Sequence, residues 1–281
     1  MNHTKEKIMQ AVFFLTACIS IVSVLLICIF LFSSGIPAIK EIGLGQFLLG
    51  EVWRPANNLY GIFPMIVGSV YVTVGALIIG VPVGVMTAVF MAHFCPQKIY
   101  KPLKAAINLM AGIPSVVYGF FGLVVLVPFV RDNIGGFGMG ILTASILLGI
   151  MILPTIISVS ESSIRAVPSS YYEGGLALGA SHERSIFFAV LPAAKRGIFA
   201  AVILGIGRAI GETMAVIMVA GNQAILPTSL TSGVRTLTTN IVMEMGYSTG
   251  LHREALIGTA VVLFVFILII NISFSLLYKE D

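Results

Sequence analysis

The chain has 281 residues, 58% of them apolar, with 16 Lys and Arg against 12 Asp and Glu for a formal net charge of +4. A charged fraction of 10% is far below the roughly 25% of an average soluble domain and leaves too little polar surface to coat a water-soluble globule. A mean hydropathy of +1.04 and repeated apolar runs of about 20 residues, each able to cross roughly 30 Å of hydrocarbon as a helix, exclude a soluble protein, and the lack of alternating strand patterns excludes an outer-membrane barrel.

Lys5 and Lys7 precede an apolar run over about 8–33. That run is roughly 25 residues long, against about 7 to 15 for the core of a signal peptide, and no A-x-A site follows it. It therefore reads as a retained signal anchor and the first of six spans. The others fall at about 64–92, 106–130, 139–160, 197–221 and 255–278. The expected fold class is an all-α integral membrane protein with both termini on one side. With the N-terminus in the cytoplasm, Lys5, Lys7, Lys98, Lys101, Lys104, Arg165, Arg184, Lys195, Arg196 and Lys279 lie inside. Only Lys40, Arg54, Arg131, Arg235 and Arg253 lie outside, so the positive-inside rule favours N-in, C-in. The chain divides into a tail and first helix at 1–35, an outside loop at 36–63 and a five-helix core at 64–278.

A second long outside loop runs from Asn222 to Glu254. Its Val234, Leu237, Ile241 and Met245 recur at helical spacing and predict a short helix lying at the outer surface, either a connector or a dock for an external partner. Segment 161–196 is the one large cytoplasmic element. The 29 glycines, and Pro82, Pro114, Pro128 and Pro154 at membrane depth, suit close helix packing with freed backbone groups satisfied by neighbouring helices. Cys18, Cys28 and Cys95 have the spacing of neither a disulfide framework nor a metal cluster. The basic residues stand singly, without interleaved aromatics, so the expected surroundings are a lipid bilayer and not nucleic acid.

The fifth span carries Arg208 and Glu212 near its middle. A central Arg costs about 2.5–3.5 kcal/mol to insert, and such charges are kept where they do something. Four residues apart on one helix, the two share a face with Ala201, Gly205 and Ala215 beside it, while Gly207 and Gly211 form a GxxxG pair on its flank. A self-neutralising pair that helps bundle helices is one reading. Buried pairs seldom gain net stability over apolar replacements, which favours the other: a polar lining of a solute path. In it Arg208 offers a forked guanidinium to an anion, Glu212 holds Arg208 when no anion is present, and Thr213 adjoins them.

Enzyme chemistry finds no support. His3, His93, His182 and His252 are scattered, and His182-Glu183 lacks a second His at Ile186. The two aspartates, Asp132 and Asp281, lie outside the spans, and there is no nucleophile elbow and no P-loop. No cofactor is expected on this chain. If transport is active, its energy comes from an ion gradient or from another subunit.

Between spans four and five, Glu173-Gly174-Gly175-Leu176-Ala177-Leu178-Gly179-Ala180 precedes a helical pattern ending at Leu191-Pro192. Gly179 suits a helix C-terminal cap and Ser181 the next N-cap, so two short helices meeting at a corner are predicted. This stretch resembles the EAA loop of ABC importer permeases, with Gly174 and Gly175 in place of the usual Ala-Ala. Trp53-Arg54-Pro55, Tyr60-Gly61-Ile62-Phe63-Pro64, Ile113-Pro114-Ser115-Val116-Val117-Tyr118-Gly119, Met151-Ile152-Leu153-Pro154-Thr155 and Gly207-Arg208-Ala209-Ile210-Gly211-Glu212-Thr213-Met214-Ala215-Val216 are similar to the phosphate importer permeases, the PstC-like branch more than the PstA-like one.

The resemblance covers about 50–278 and implies a type I ABC importer permease of MetI-like architecture in a bacterial cytoplasmic membrane. It implies half of a phosphate path, a PstA-like partner permease, two copies of a PstB-like cytoplasmic ATPase that uses ATP and Mg, and an extracytoplasmic phosphate-binding protein. Glu173, Gly174, Gly175, Leu176 and Gly179 would then form the surface that couples to the ATPase. Other oxyanions such as molybdate or sulfate, and a gradient-driven carrier, remain alternatives at this stage.

Overall fold

With no water at membrane depth to satisfy N–H and C=O groups, an apolar chain must bond its backbone within itself, and helices do so one segment at a time. The computed structural model describes residues 3–277; Lys279, assigned above to the cytoplasmic side, lies outside the described residues. In chain order the elements are α1 (His3–Ile42), α2 (Leu44–Leu49), a two-residue hairpin of β1 (Trp53–Arg54) and β2 (Leu59–Tyr60), α3 (Phe63–Val89), α4 (Gln97–Gly112), α5 (Ser115–Phe121), α6 (Val127–Asn133), α7 (Ile141–Arg165), α8 (Ser169–Ala177), α9 (His182–Ser185), α10 (Leu191–Gly211), α11 (Met214–Val219), α12 (Leu237–Met245) and α13 (Gly250–Leu277).

Among the described residues, 6 helical stretches are long and apolar enough to cross a membrane: Lys5–Ile42, Phe63–Phe94, Ser115–Asn133, Ile141–Arg165, His182–Gly211 and Gly250–Ser273. The number agrees with the sequence expectation, while the bounds of the third and fifth spans differ. The third span begins at Ser115 and not near 106, because Ile113 and Pro114 are extended and split α4 from α5. The ring of Pro114 disfavours helical geometry in the residue before it, so the helix ends there. The fifth span begins at His182 and stops at Gly211, where Glu212 turns extended with φ −69 and ψ 130.

The helical pattern expected to end at Leu191-Pro192 in fact runs through the proline. A π-helical turn at Ile186–Val190 precedes it, as another at Gly122–Leu126 precedes Pro128. A π turn shifts the hydrogen-bond register where proline lacks an N–H and crowds the preceding turn, so the helix continues past both.

The central packing is α3 along α7. A Cβ on Gly80 would come within 2.7 Å of Ile152 Cδ1, and one on Gly84 within 2.7 Å of Ile156 Cγ2, so the Ala76, Gly80, Gly84 stripe lets the two backbones approach. α10 lies on the same helix, with Gly205 facing Ile156. The first span stands apart: the most apolar 18-residue window of Lys5–Ile42 has 0% of its residues buried. Only its later part meets α13, through the Phe32 and Phe264 rings at 5.9 Å and Gly35 against Val261.

The bundle has two unlike ends. The basic end carries Lys98, Lys101, Lys104, Arg165, Arg184, Lys195 and Arg196, together with α4, α8 and α9. The loop end carries α2, the β1/β2 hairpin and α12. There Phe47, Trp53, Tyr60, Ile62, Met65, Leu237 and Leu256 form an apolar cluster. α12 was expected to lie on the outer surface; instead Leu237, Thr238, Thr239, Asn240 and Glu244 are buried, so it is set into the bundle. Its polar face, invisible to a search for apolar periodicity, is the one that turns inward.

Candidate solute path and coupling surface

The break after Gly211 decides the geometry around the fifth-span charges. The expected helical face shared by Arg208 and Glu212 is absent, because Glu212 lies beyond the end of α10. Its carboxylate Oε1 accepts N–H bonds from Thr213 at 3.1 Å and Ala215 at 3.2 Å, capping the start of α11. Arg208 turns to α7 instead, where its Nη1 donates to Thr155 Oγ1 at 3.2 Å. Among the described residues no ion pair joins Arg208 to Glu212, so the sequence expectation that Glu212 holds Arg208 is corrected.

The consequence is chemical. A half-buried guanidinium has five N–H donors in a planar fork, and here a neutral hydroxyl takes one of them. The others are free to meet a forked oxyanion, an interaction roughly twice as strong as a neutral hydrogen bond. The Thr213 hydroxyl donates to the Gly211 carbonyl at 3.2 Å. Gly207 and Gly211 have open space where a Cβ would stand, so this flank of α10 is uncovered within the chain. The neighbouring span opens similarly: Tyr118, just past the Pro114 break, donates from its hydroxyl to Met110 O at 2.9 Å across that break.

At the basic end α8 and α9 meet as the caps predicted. Gly179 has φ +82, a left-handed conformation that suits glycine, and Ser181 Oγ accepts from the Arg184 N–H at 3.3 Å. Glu173 and Gly174 are exposed, Gly174 has open space at its Cβ position, and Gly175 packs on Ser185. Leu176 and Leu178 are also exposed, the latter at 92%. Beneath them the Tyr172 hydroxyl meets His182 Nδ1 at 2.8 Å and the Phe94 ring lies 5.0 Å from that of His182, so the knob is tied to the end of the second span.

Two buried polar clusters escaped the sequence reading. On α7, Glu161 is 1% exposed and accepts from Tyr100 at 2.7 Å, Lys104 at 2.6 Å and Arg165 at 2.9 Å. This clamps α4 to α7. Hydrogen bonding to that carboxylate, with burial, pushes the Tyr100 phenol up from its ordinary pKa and keeps it a donor. The i to i+4 spacing of Glu161 and Arg165 was the only local signal. At the loop end, Glu244 accepts from Trp53 Nε1 at 2.8 Å and Arg235 Nη1 at 2.7 Å and lies 2.8 Å from His252 Nε2. Its partners are up to 191 residues away, beyond any spacing rule.

A broken span thus carries a half-buried guanidinium, and an exposed knob of capped helices stands at the basic end. The chain belongs to the family of binding-protein-dependent transport system inner membrane components, whose profile matches residues 80–279. It is a multi-pass membrane protein.

The chain is 40% identical over 269 residues, 91% of its length and 87% of the relative's, to a probable ABC transporter permease protein, YqgH, of Bacillus subtilis. It is 33% identical over 277 residues, 91% of its length and 84% of the relative's, to the phosphate transport system permease protein PstC of Mesorhizobium japonicum. The resemblance to PstC-like permeases read from the motifs is thereby borne out. The fold is shared with the MetNI methionine ABC transporter in an inward facing conformation, with a TM-score of 0.58 and 21% identity over 81% of this chain and 98% of that one.

Proposed function

We propose that this chain is the permease subunit of an ATP-driven importer of inorganic phosphate and forms half of its translocation path. The observation that carries the proposal is Arg208: a guanidinium inside a span, bonded to a neutral hydroxyl and left with donors for an oxyanion. The relatives named as phosphate transport permeases support phosphate as that oxyanion. Glu212 and Thr213 border the path. Glu212 serves as the cap that keeps the span broken there, so the guanidinium is not neutralised by its neighbour.

In this reading the basic end faces the cytoplasm, giving the N-in, C-in orientation that positive charge favours. Glu173, Gly174, Gly175, Leu176 and Gly179 present the coupling surface to one of two PstB-like ATPase copies. The open flank at Gly207 and Gly211 receives a PstA-like permease, where small residues allow close approach. An extracytoplasmic phosphate-binding protein delivers the ion to the loop end. The chain itself is non-catalytic and binds no cofactor; ATP and Mg belong to the ATPase. Residues 1–35, 36–63 and 64–278 act as anchor, outer loop and permease core.

The test is uptake of labelled phosphate by the complete complex in proteoliposomes, with and without enclosed ATP and with unlabelled molybdate or sulfate as competitors. The proposal expects ATP-dependent accumulation that molybdate and sulfate at equal concentration leave nearly unchanged. Stronger competition by either would reassign the oxyanion, and ATP-independent uptake by the chain alone would make it a gradient-driven carrier.

A further inference from the structure

α12 joins two places where this chain handles charge, the break at Glu212 and the cluster around Glu244. At its start, the Thr238 hydroxyl donates to the Glu212 carbonyl oxygen at 3.1 Å. Glu212 ends α10, where the last carbonyls of a helix lack intrahelical partners, and at membrane depth each such group left unsatisfied costs several kcal/mol. Thr238 is therefore the donor that satisfies the Glu212 carbonyl at the break, as the Thr213 hydroxyl satisfies that of Gly211. The start of α12 is itself fixed on two sides. The Leu237 N–H donates to Ser69 Oγ on α3 at 2.9 Å, and Thr236 and Thr239 bond each other's backbone in a capping box. On α3, a Cβ at Gly68 would sit 2.6 Å from Arg235 O, so only glycine admits this approach.

The other end of α12 is held by the loop-end cluster. Glu244 binds Trp53 of the hairpin, His252 of α13 and Arg235, and Arg235 reaches Asn222 O at 3.0 Å and Asn240 Oδ1 at 3.1 Å. Two atoms in this cluster are buried without a partner, Asn222 Oδ1 and Asn240 Nδ2. Neither is an inverted amide, because Asn222 Nδ2 donates to Ile217 O and Asn240 Oδ1 accepts from Arg235.

We propose that Thr238 is a positioning residue and α12 a strut: the Thr238 bond to Glu212 O ties the break in the fifth span to the Glu244–Arg235 cluster, so that a shift of the loop end moves the Arg208 and Glu212 groups. This rests on the phosphate importer reading only for the identity of the solute. The mechanical link is a property of this chain's own contacts. It gives an event at the loop end, such as arrival of a loaded binding protein, a direct route to the middle of the path, without passing through the basic end.

The test uses the complete complex in proteoliposomes with Thr238→Val, which keeps the side-chain volume and removes the hydroxyl, and Thr238→Ser, which restores it. One arm measures the rate at which Thr213→Cys, in a background with Cys18, Cys28 and Cys95 replaced by Ser, reacts with a membrane-impermeant thiol reagent. Thr238→Val is expected to change that rate about three- to tenfold, the range one neutral hydrogen bond supports, and Thr238→Ser to return it. The second arm, with native Thr213, measures phosphate moved per ATP hydrolysed. Thr238→Val is expected to lower that ratio while assembly stays normal, and Thr238→Ser to restore it.

An unchanged labelling rate in Thr238→Val would overturn the strut, as would an unchanged ratio of phosphate moved to ATP hydrolysed. Failure of the unaltered complex to move phosphate would count against the solute and leave the labelling arm to decide the strut by itself.

Discussion

Glu212 shows how far a residue-scale reading of the sequence extends and where it stops. Arg208 is legible because it is a lone cation inside a strongly apolar run. Its partner is not, because Thr155 lies 53 residues away on α7. The end of α10 is hidden for another reason: Gly211-Glu212-Thr213 contains no proline, and the bonds that stabilise the break come from the carboxylate of Glu212 and from α12. With Glu212 read as a cap, its substitutions separate by shape and not by charge. Glu212→Gln retains an oxygen that accepts from the Thr213 and Ala215 N–H groups, whereas Glu212→Leu leaves both without a partner at a cost of about 1–3 kcal/mol for each. Thermal unfolding of the purified complex should therefore find Glu212→Gln close to the unaltered protein and Glu212→Leu clearly lower. Equal loss in the two would mean that the charge, and not the cap, is what the fold uses.

At the scale of elements, six spans and the corner between α8 and α9 follow from apolar length and from the caps at Gly179 and Ser181. The starts of the third and fifth spans do not, since each depends on what happens at a proline. Pro114 ends a helix, while Pro128 and Pro192 sit just after π turns that let the helix continue. A linear pattern does not distinguish these cases. The exposed knob makes its own prediction. Leu178 touches almost nothing in the chain, so Leu178→Asp has little to disturb in the fold. Burial of this side chain against an ATPase would make the substitution cost about 2 kcal/mol or more, weakening association roughly thirtyfold. Copurification of the ATPase with the solubilised permease should fall accordingly, and undiminished copurification would remove Leu178 from the interface. Gly179 is a poorer probe, because its φ of +82 makes any larger residue strained whether or not a partner is there.

For the whole molecule, charge is scarce and concentrated in a few places. Most basic residues gather at one end, and the buried acids Glu161 and Glu244 each gather cations and aromatic donors from separate parts of the chain. These clusters fasten α4 to α7 at the basic end and α12 to the hairpin at the loop end. Between them lies Arg208, inside a span, whose described hydrogen bond is to the neutral Thr155 hydroxyl. A structural role for Arg208 would show as loss of assembly; a role in the path would show as loss of transport alone. The decisive measurement is ATP-driven uptake of labelled phosphate by the complete complex carrying Arg208→Gln, with assembly and ATPase association checked on the same preparation. Removing charge-assisted hydrogen bonds worth about 1.5–3 kcal/mol should lower uptake efficiency roughly ten- to a hundredfold while the complex assembles normally. Uptake at the unaltered rate by a fully assembled Arg208→Gln complex would contradict the account.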